Sequence, residues 1–260
     1  MKIVVLSFNH PELTKKTVRS VLPFTKDCVL VHNGSLPQHV SDLQSAFPEV
    51  EHLVFDQNRG FSGGANRGLK HAFKTSSWAL FLTNDTQLLS LPPIPSKPTF
   101  AAPIIYFRNV NKIDSCGGVF DSHKGSLTHF KNENEFPDLC QSSRTPNLIP
   151  YIPGTAFYMH SSFLEDGFEN GFDESLHTYW EDVDFSVKHF LRGHHFSLDT
   201  QFKVLHSVGK TCHKDPFYAS YLFQRNRLIV TRRHSTQRLT SEIHLHFTWL
   251  KSLIKHKKRR

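Results

Sequence analysis

Lys2-Ile-Val-Val-Leu-Ser-Phe8, followed three residues later by Pro11-Glu-Leu-Thr-Lys-Lys-Thr-Val-Arg-Ser-Val-Leu22, decides the fold. The first run is apolar and β-branched, which suits a buried strand. In the second, Pro stands at a first-turn position, and Leu13, Val18, Val21 and Leu22 recur at helical spacing. The pattern repeats outward. Residues 28–31 read as a second strand closed by the turn pair Asn33-Gly34, 36–47 as a helix and 50–55 as a third strand. Residues 61–73 read as a helix and 78–83 as a fourth strand. Strands alternating with helices at this spacing imply right-handed βαβ units and an α/β fold with a mostly parallel central sheet. In such sheets ligands bind at the carboxyl ends of the strands.

Further along, Leu91-Pro-Pro-Ile-Pro-Ser-Lys-Pro98 cannot be helix or central strand. Residues 100–106 and 151–159 read as strands, and 108–147 as polar loops or a small hairpin laid over the site. Residues 195–198 and 202–205 read as two short strands, and 216–233 and 241–255 as two terminal helices. At 260 residues the chain can bury a core of its own. No apolar run approaches the ~20 residues of a membrane span, and the N-terminus reads as strand rather than signal peptide. The four cysteines lack paired spacing and read as free thiols; Cys212-His213 has no second pair to complete a zinc site.

The net charge of +8 is unevenly placed. From residue 225 to 260 there are eleven Lys or Arg and one acid, a net of +10, so the first 224 residues carry 8 − 10 = −2. A nucleic-acid binder would spread basic residues over its body, so nucleic acid is not an expected partner. Ile243, Phe247, Leu250 and Ile254 share a helical stripe ahead of Lys257-Lys-Arg-Arg260. The segment 241–260 reads either as a basic helix on an anionic membrane or as a packed helix with a solvated end.

Three segments carry chemistry. Asn58-Arg-Gly-Phe-Ser-Gly-Gly-Ala-Asn-Arg-Gly68 is glycine-dense where a strand hands over to a helix. It reads as an anion-binding helix start or as a flexible loop. Phe81-Leu-Thr-Asn-Asp-Thr86 ends a strand on Asp85, a divalent-metal ligand or a turn residue. Tyr179-Trp-Glu-Asp-Val-Asp-Phe185 sets three carboxylates among aromatics. Thr178-x-x-Glu181 fits a capping box, which accounts for Glu181 and leaves Asp182 as a general-base candidate. A first-turn position should keep the Asp182 pKa low.

In order, these segments resemble family 2 glycosyltransferases of the rhamnosyltransferase-like and galactofuranosyltransferase-like branch. The matching pieces are Val4-Val-Leu-Ser-Phe-Asn9, Val31-His-Asn-Gly-Ser35, the 58–68 and 81–86 segments, Pro153-Gly-Thr-Ala-Phe-Tyr-Met159, Gly171-Phe-Asp-Glu174, Trp180-Glu-Asp-Val-Asp184 and His206. The resemblance implies a GT-A fold over residues 1–210, with a nucleotide-binding half (1–90), a catalytic half (100–210) and a helical basic extension (211–260). It implies inverting transfer from a nucleotide-sugar to a hydroxyl of a glycan or lipid-linked acceptor; the unpaired cysteines and basic tail point to the cytoplasm, either free or at the inner face of the membrane. Asp182 would be the base, with Glu181, Asp184, Trp180 and Tyr179 supporting it or lining the acceptor. Asp85 and His206 would hold Mg²⁺ or Mn²⁺. Ser7, Phe8, Asn9, His32, Asn33, Gly60, Phe61, Gly64, Asn66 and Asn84 would line the nucleotide. Two departures stand out. His32 replaces the usual Asp of Val-Asp-Asn-Gly-Ser, and the D-x-D is reduced to Thr83-Asn84-Asp85. The competing readings are an inactive GT-A binding module and a nucleic-acid binder using the tail.

Overall fold

A strand with no sequence-level signal, Thr86–Ser90, closes one edge of the central sheet. The computed structural model describes residues 1–108, 112–136, 147–165, 171–207 and 216–235. The expected helix at 241–255, Cys140 and Cys212 lie outside them. The expected βαβ units are present: β1 (Lys2–Ser7), α1 (Pro11–Val21), β2 (Cys28–Asn33), α2 (Pro37–Ala46), β3 (Glu51–Phe55), α3 (Gly60–Ala72) and β4 (Trp78–Thr83). After β4 come β5 (Thr86–Ser90), β6 (Phe100–Phe107), β7 (Ile113–Ser115), β8 (Gly118–Asp121), β9 (Ser126–His129), β10 (Leu148–Tyr151) and β11 (Ala156–His160). The chain then forms a short helix α4 (Ser162–Glu165), helix α5 (Glu181–Leu191), strand β12 (Phe196–His206) and helix α6 (Pro216–His234).

The large sheet runs β3-β2-β1-β4-β11-β6-β12-β5, with β7 paired to β6. β1 to β4 are parallel, and β11 is antiparallel to both β4 and β6. The two strands expected at 195–198 and 202–205 are one strand, β12, whose register on β6 shifts between Asp199 and Lys203. The segment expected over the site forms a separate antiparallel sheet, β10-β8-β9.

Two cores flank the large sheet. On the α3 face, Val4, Val31, Leu69, Phe81, Phe100, Phe157 and Phe185 pack together. On the α1/α2 face, Ile3, Leu30, Leu43, Phe47, Leu80 and Tyr158 do. The glycines of α3 serve the first face: a Cβ at Gly64 would stand 2.6 Å from Leu6 Cδ1, and one at Gly68 2.6 Å from Val4 Cγ1. Their absence lets the helix backbone lie close on the sheet.

A third core joins α5 and α6 to the small sheet through Phe120, Tyr151, Trp180, Val183 and Val230. α6 therefore packs on the body. Among the described residues no helix is long and apolar enough to cross a membrane.

Asp184 pins α6 to α5. It is 1% exposed and meets Lys188 Nζ at 2.5 Å, His234 Nε2 at 2.8 Å and Arg233 at 3.4 Å. It is thus a buried ion-pair centre and not an acceptor-lining acid. Burial alone would raise its pKa, but the His234 and Lys188 hydrogen bonds outweigh burial and lower it below 3.8. A depressed carboxylate stabilises the fold above its unfolded pKa and loses that contribution as pH falls through the folded one. Asp184→Asn should therefore cost about 3 kcal/mol at neutral pH, as breaking a buried pair does. The cost should shrink below about pH 4. Urea unfolding of both proteins across that range checks it.

Candidate active site

The site is assembled by one short bridge, Pro153-Gly154-Thr155, between β10 and β11. The Thr83 N–H donates to the Thr155 carbonyl at 3.0 Å, extending the β4–β11 ladder by a pair. One residue earlier, the Gly154 N–H donates to Asp182 Oδ2 at 2.9 Å. Thr83 Oγ1 in turn donates to Asp85 Oδ1 at 2.7 Å. Asp182 and Asp85, far apart in sequence, are thus joined through three linked contacts at the carboxyl edge of β4. Gly154 fits because a Cβ would stand 2.7 Å from the Phe61 ring.

Asp182 occupies the first turn of α5 and is half-buried; the Val183 N–H donates to its Oδ1 at 2.8 Å. Glu181 beside it is 5% exposed, and its Oε2 has no hydrogen-bond partner. Burial first, and the Asp182 charge second, push the Glu181 pKa well above its ordinary value. Burial also raises Asp182, against the lowering effect of the Gly154 and Val183 N–H groups. The expectation that the helix terminus would keep Asp182 low is corrected: desolvation exceeds the first-turn effect. Of the pair, Glu181 has the poorer environment for charge.

The capping box is also corrected. Thr178 does not cap α5; Trp180 is the N-cap residue, in a left-handed conformation with no side-chain cap bond. His177, Tyr179 and Trp180 all have positive φ, at 64°, 71° and 72°. Each costs about 1–3 kcal/mol unless its surroundings impose it. Asn226 of α6 imposes it: its Nδ2 donates to the carbonyls of Leu176, Thr178 and Tyr179 at 2.7–2.8 Å. Trp180 is buried against Phe120 and Phe223. The structure makes it core rather than an acceptor-side wall. Tyr179 is half-buried against Phe223.

At the other end of the site, His206 ends β12. Its Nε2 stands 3.6 Å from Asp85 Oδ2, and its Nδ1 3.1 Å from Asp114 Oδ2. Burial would depress the imidazole, but the hydrogen bonds to Asp114 and Asp85 outweigh it and raise the pKa to about 9. Among the described residues no three His, Cys, Asp or Glu side chains converge as a full metal cage. A carboxylate and an imidazole nitrogen side by side do fit Mn²⁺ or Mg²⁺ when a diphosphate and water complete the shell.

The nucleotide-side residues divide. Phe8 is 37% exposed at the end of β1. Asn9 follows with φ 53°, its Oδ1 accepting from the Leu36 N–H. Ser7 and Asn84 are buried, and both bond to the Thr14 hydroxyl. Asn33 is 2% exposed and ties Asn58, Arg59 and Gly60 together. Asn66 is buried and clamps Phe172 through both its N–H and carbonyl, so it is structural. Gly60, at φ 68°, lies against the His177 carbonyl, and Phe61 packs edge-on to Phe81 and Phe172. Gly64, Asn66 and His32 are likewise buried among protein neighbours. His52 Nε2 donates to the Phe47 carbonyl, which leaves His52 Nδ1 to accept from His32 Nε2 at 2.9 Å. Burial first, and His52 second, lower the His32 pKa to about 4, so the ring is neutral.

Sequence reasoning missed Asp114, Asn226 and the pair Tyr151–His129. The Tyr151 hydroxyl meets His129 at 3.1 Å across Gly118, where a Cβ would stand 2.5 Å from the Tyr151 ring. Burial and the Asp182 charge raise the Tyr151 phenol.

Residues 2–93, about a third of the chain, match the family model described as Glycosyl transferase family 2. No curated protein matches the chain in sequence. Among solved structures it resembles GalNAc-T7 with UDP, GalNAc and Mn²⁺, at 17% identity over 88% of this chain and 48% of that one, with a TM-score of 0.65. The mannosyltransferase PcManGT from Pyrobaculum calidifontis, in complex with GDP-Man and Mn²⁺, gives 13% identity over 94% and 67% of the two chains and a TM-score of 0.56. S. aureus TarS 1-349 gives 14% over 94% and 69%, and 0.53. The chain spans about half the length of the first of these. The fold is the GT-A fold of these glycosyltransferases, and residues 2–93 carry the family 2 domain match.

Gly154→Ala should destabilise by about 1–3 kcal/mol through overpacking against Phe61. It should also loosen Asp182. Thermal unfolding, with side-chain NMR of Asp182, reads both.

Proposed function

We propose that the protein is an inverting glycosyltransferase that moves a sugar from a nucleotide-sugar onto a hydroxyl of a glycan or lipid-linked acceptor. The order of its motifs supports the rhamnosyltransferase-like and galactofuranosyltransferase-like branch. The observation that carries the reading is the Gly154 bridge, which holds the Asp182 carboxylate beside the Asp85 end of β4. Residues 1–90 bind the donor and 100–210 carry the chemistry and the acceptor. The basic stripe at 241–260 suits an anionic membrane, and with it a lipid-linked acceptor at the cytoplasmic face.

In the reaction Asp182 takes the proton of the acceptor hydroxyl. The oxygen forms a bond to the anomeric carbon from the face opposite the diphosphate. The bond from that carbon to the diphosphate oxygen breaks, and its electron pair leaves with the diphosphate. Asp85 and His206 would hold Mg²⁺ or Mn²⁺, which neutralises charge on the diphosphate when bound. The two fixed N–H donors orient Asp182 towards one hydroxyl. Burial disfavours charge on Glu181, which limits negative charge beside the departing anion. Phe8 and Asn9 stand at the open end of β1 for the nucleotide.

Asp182→Asn should lower transfer by about 10²–10⁴-fold and leave donor binding intact. Glu181→Gln, which removes a charge that burial already disfavours, should stay within a few-fold of wild type. Activity should fall as pH drops through the raised Asp182 pKa, so the acid limb should lie above pH 3.8. Thermal-shift screening of UDP- and GDP-sugars with Mn²⁺, then transfer assays on the binding donor, test this. Wild-type transfer by Asp182→Asn would refute the base. Donor binding without transfer to any acceptor would favour an inactive GT-A module.

A further inference from the structure

The expected metal site is thin. Its sequence motif has one carboxylate, Asp85, and its second donor, His206, is a ring that can turn about two bonds. A flexible imidazole makes a poor ligand unless something fixes which edge faces the metal. The structure contains such a group in Asp114, a residue the motif does not include.

Asp114 is delivered by a backbone irregularity. β6 and β7 pair Ile105 with Ser115 and Tyr106 with Ile113. Two adjacent residues of β6 are therefore matched to two residues of β7 that have Asp114 between them. Asp114 is the extra residue of a β-bulge. Bulges re-aim a side chain out of the regular alternation, and they cluster beside active sites. Here the bulge turns the carboxylate to His206, with Oδ2 3.1 Å from Nδ1. Lys131 Nζ, 3.6 Å from Oδ1, holds the other oxygen. His206 is itself fixed lengthwise, paired with Thr86 of β5 on one side and Phe107 of β6 on the other.

Resting on the metal-dependent reading of the site, we infer that Asp114 is a positioning residue. It accepts the Nδ1–H of His206, so the Nε2 edge of the ring faces the position shared with Asp85 Oδ2, 3.6 Å away, and would offer its lone pair there to a metal that displaces the Nε2 proton. Asp114 and Asp85 contact different nitrogens of the ring, so Asp114 orients the ligand and does not add one. Carboxylate–histidine–metal triads of this kind raise the basicity of the imidazole and fix its tautomer. In this chain the bulge compensates for the missing first acid of the D-x-D. The positional constraint lost at Thr83 is regained at Asp114, thirty-one residues downstream.

The test is Mn²⁺ binding by the full chain, with Mn²⁺ alone as the probe, followed by the loss of the free-ion EPR signal. Wild type should bind saturably. Asp114→Ala should weaken the dissociation constant by about 10–100-fold, the usual cost of removing such a partner. Asp114→Asn, which keeps an acceptor for Nδ1–H, should lose less. In a His206→Ala background, Asp114→Ala should add no further loss, because its effect passes through the ring. If wild type shows no saturable binding, the metal reading fails and takes this inference with it. If wild type binds and His206→Ala weakens binding, yet Asp114→Ala binds within about two-fold of wild type, the inference alone fails. It fails equally if Asp114→Ala costs as much without His206 as with it. Should Asp114→Ala not fold, by circular dichroism, Asp114→Asn in both backgrounds gives the same comparison.

Discussion

The hydrogen bond from the Gly154 N–H to Asp182 is the contact on which the rest of the site depends. It ties the first turn of α5 to the strand that extends β4, and so ties the candidate base to the Asp85 end of the sheet. Backbone donors are well suited to this task, since they cannot rotate away and carry no charge to neutralise the carboxylate. The same contact explains why residue 154 has no side chain. Phe61 fills the space where one would stand, and Phe61 leads back to the helix that follows β3. A single peptide group thereby couples the family-matched first third of the chain to the later part that carries Asp182.

Charge is rationed around this contact. Asp184, one helical turn along from Trp180, is neutralised by Lys188, His234 and Arg233 and serves to dock α6. Glu181 has no such cations and no partner for Oε2, and burial raises its pKa well above the ordinary carboxylate value. Asp182 alone combines partial exposure with fixed donors. Three carboxylates within four residues thus take three different roles because their surroundings differ, although their chemistry is the same.

Much of the fold was legible in the sequence. Strands β1 to β4 and helices α1 to α3 follow from apolar runs and helical spacing, with shifts of a residue or two at their ends. β5 was not legible, because Thr86-Gln-Leu-Leu-Ser90 has neither clear alternation nor β-branched enrichment; its partner β12 makes it a strand. β12 itself was split in two by its polar middle, where the register shifts. Within the site, Asp182, Asp85 and His206 could be named from motifs. The burial of Asn66 and His32 was not legible, because one motif gives no sign of which of its residues pack against protein neighbours. His32 occupies a strand position facing α2, where a ring finds His52 and Phe47 and no opening. Asp114 sits in a three-residue strand, Ile113-Asp-Ser115, too short for any periodicity. The one available signal was a carboxylate alternating with apolar residues in a segment expected to cover the site.

The clamp of Asn226 on residues 176–179 also has a bearing on how the molecule matures. Left-handed backbone at His177, Tyr179 and Trp180 is unfavourable without that clamp, and the clamp comes nearly fifty residues later in the chain. During synthesis from the N-terminus, the sheet and its donor edge can form well before α6 has emerged. The turn that presents Asp182 cannot settle until it has. A nascent chain would therefore form β1 to β4 first and settle the turn that carries Asp182 last. The completion of that turn waits on α6, which stands about fifty residues further along the chain.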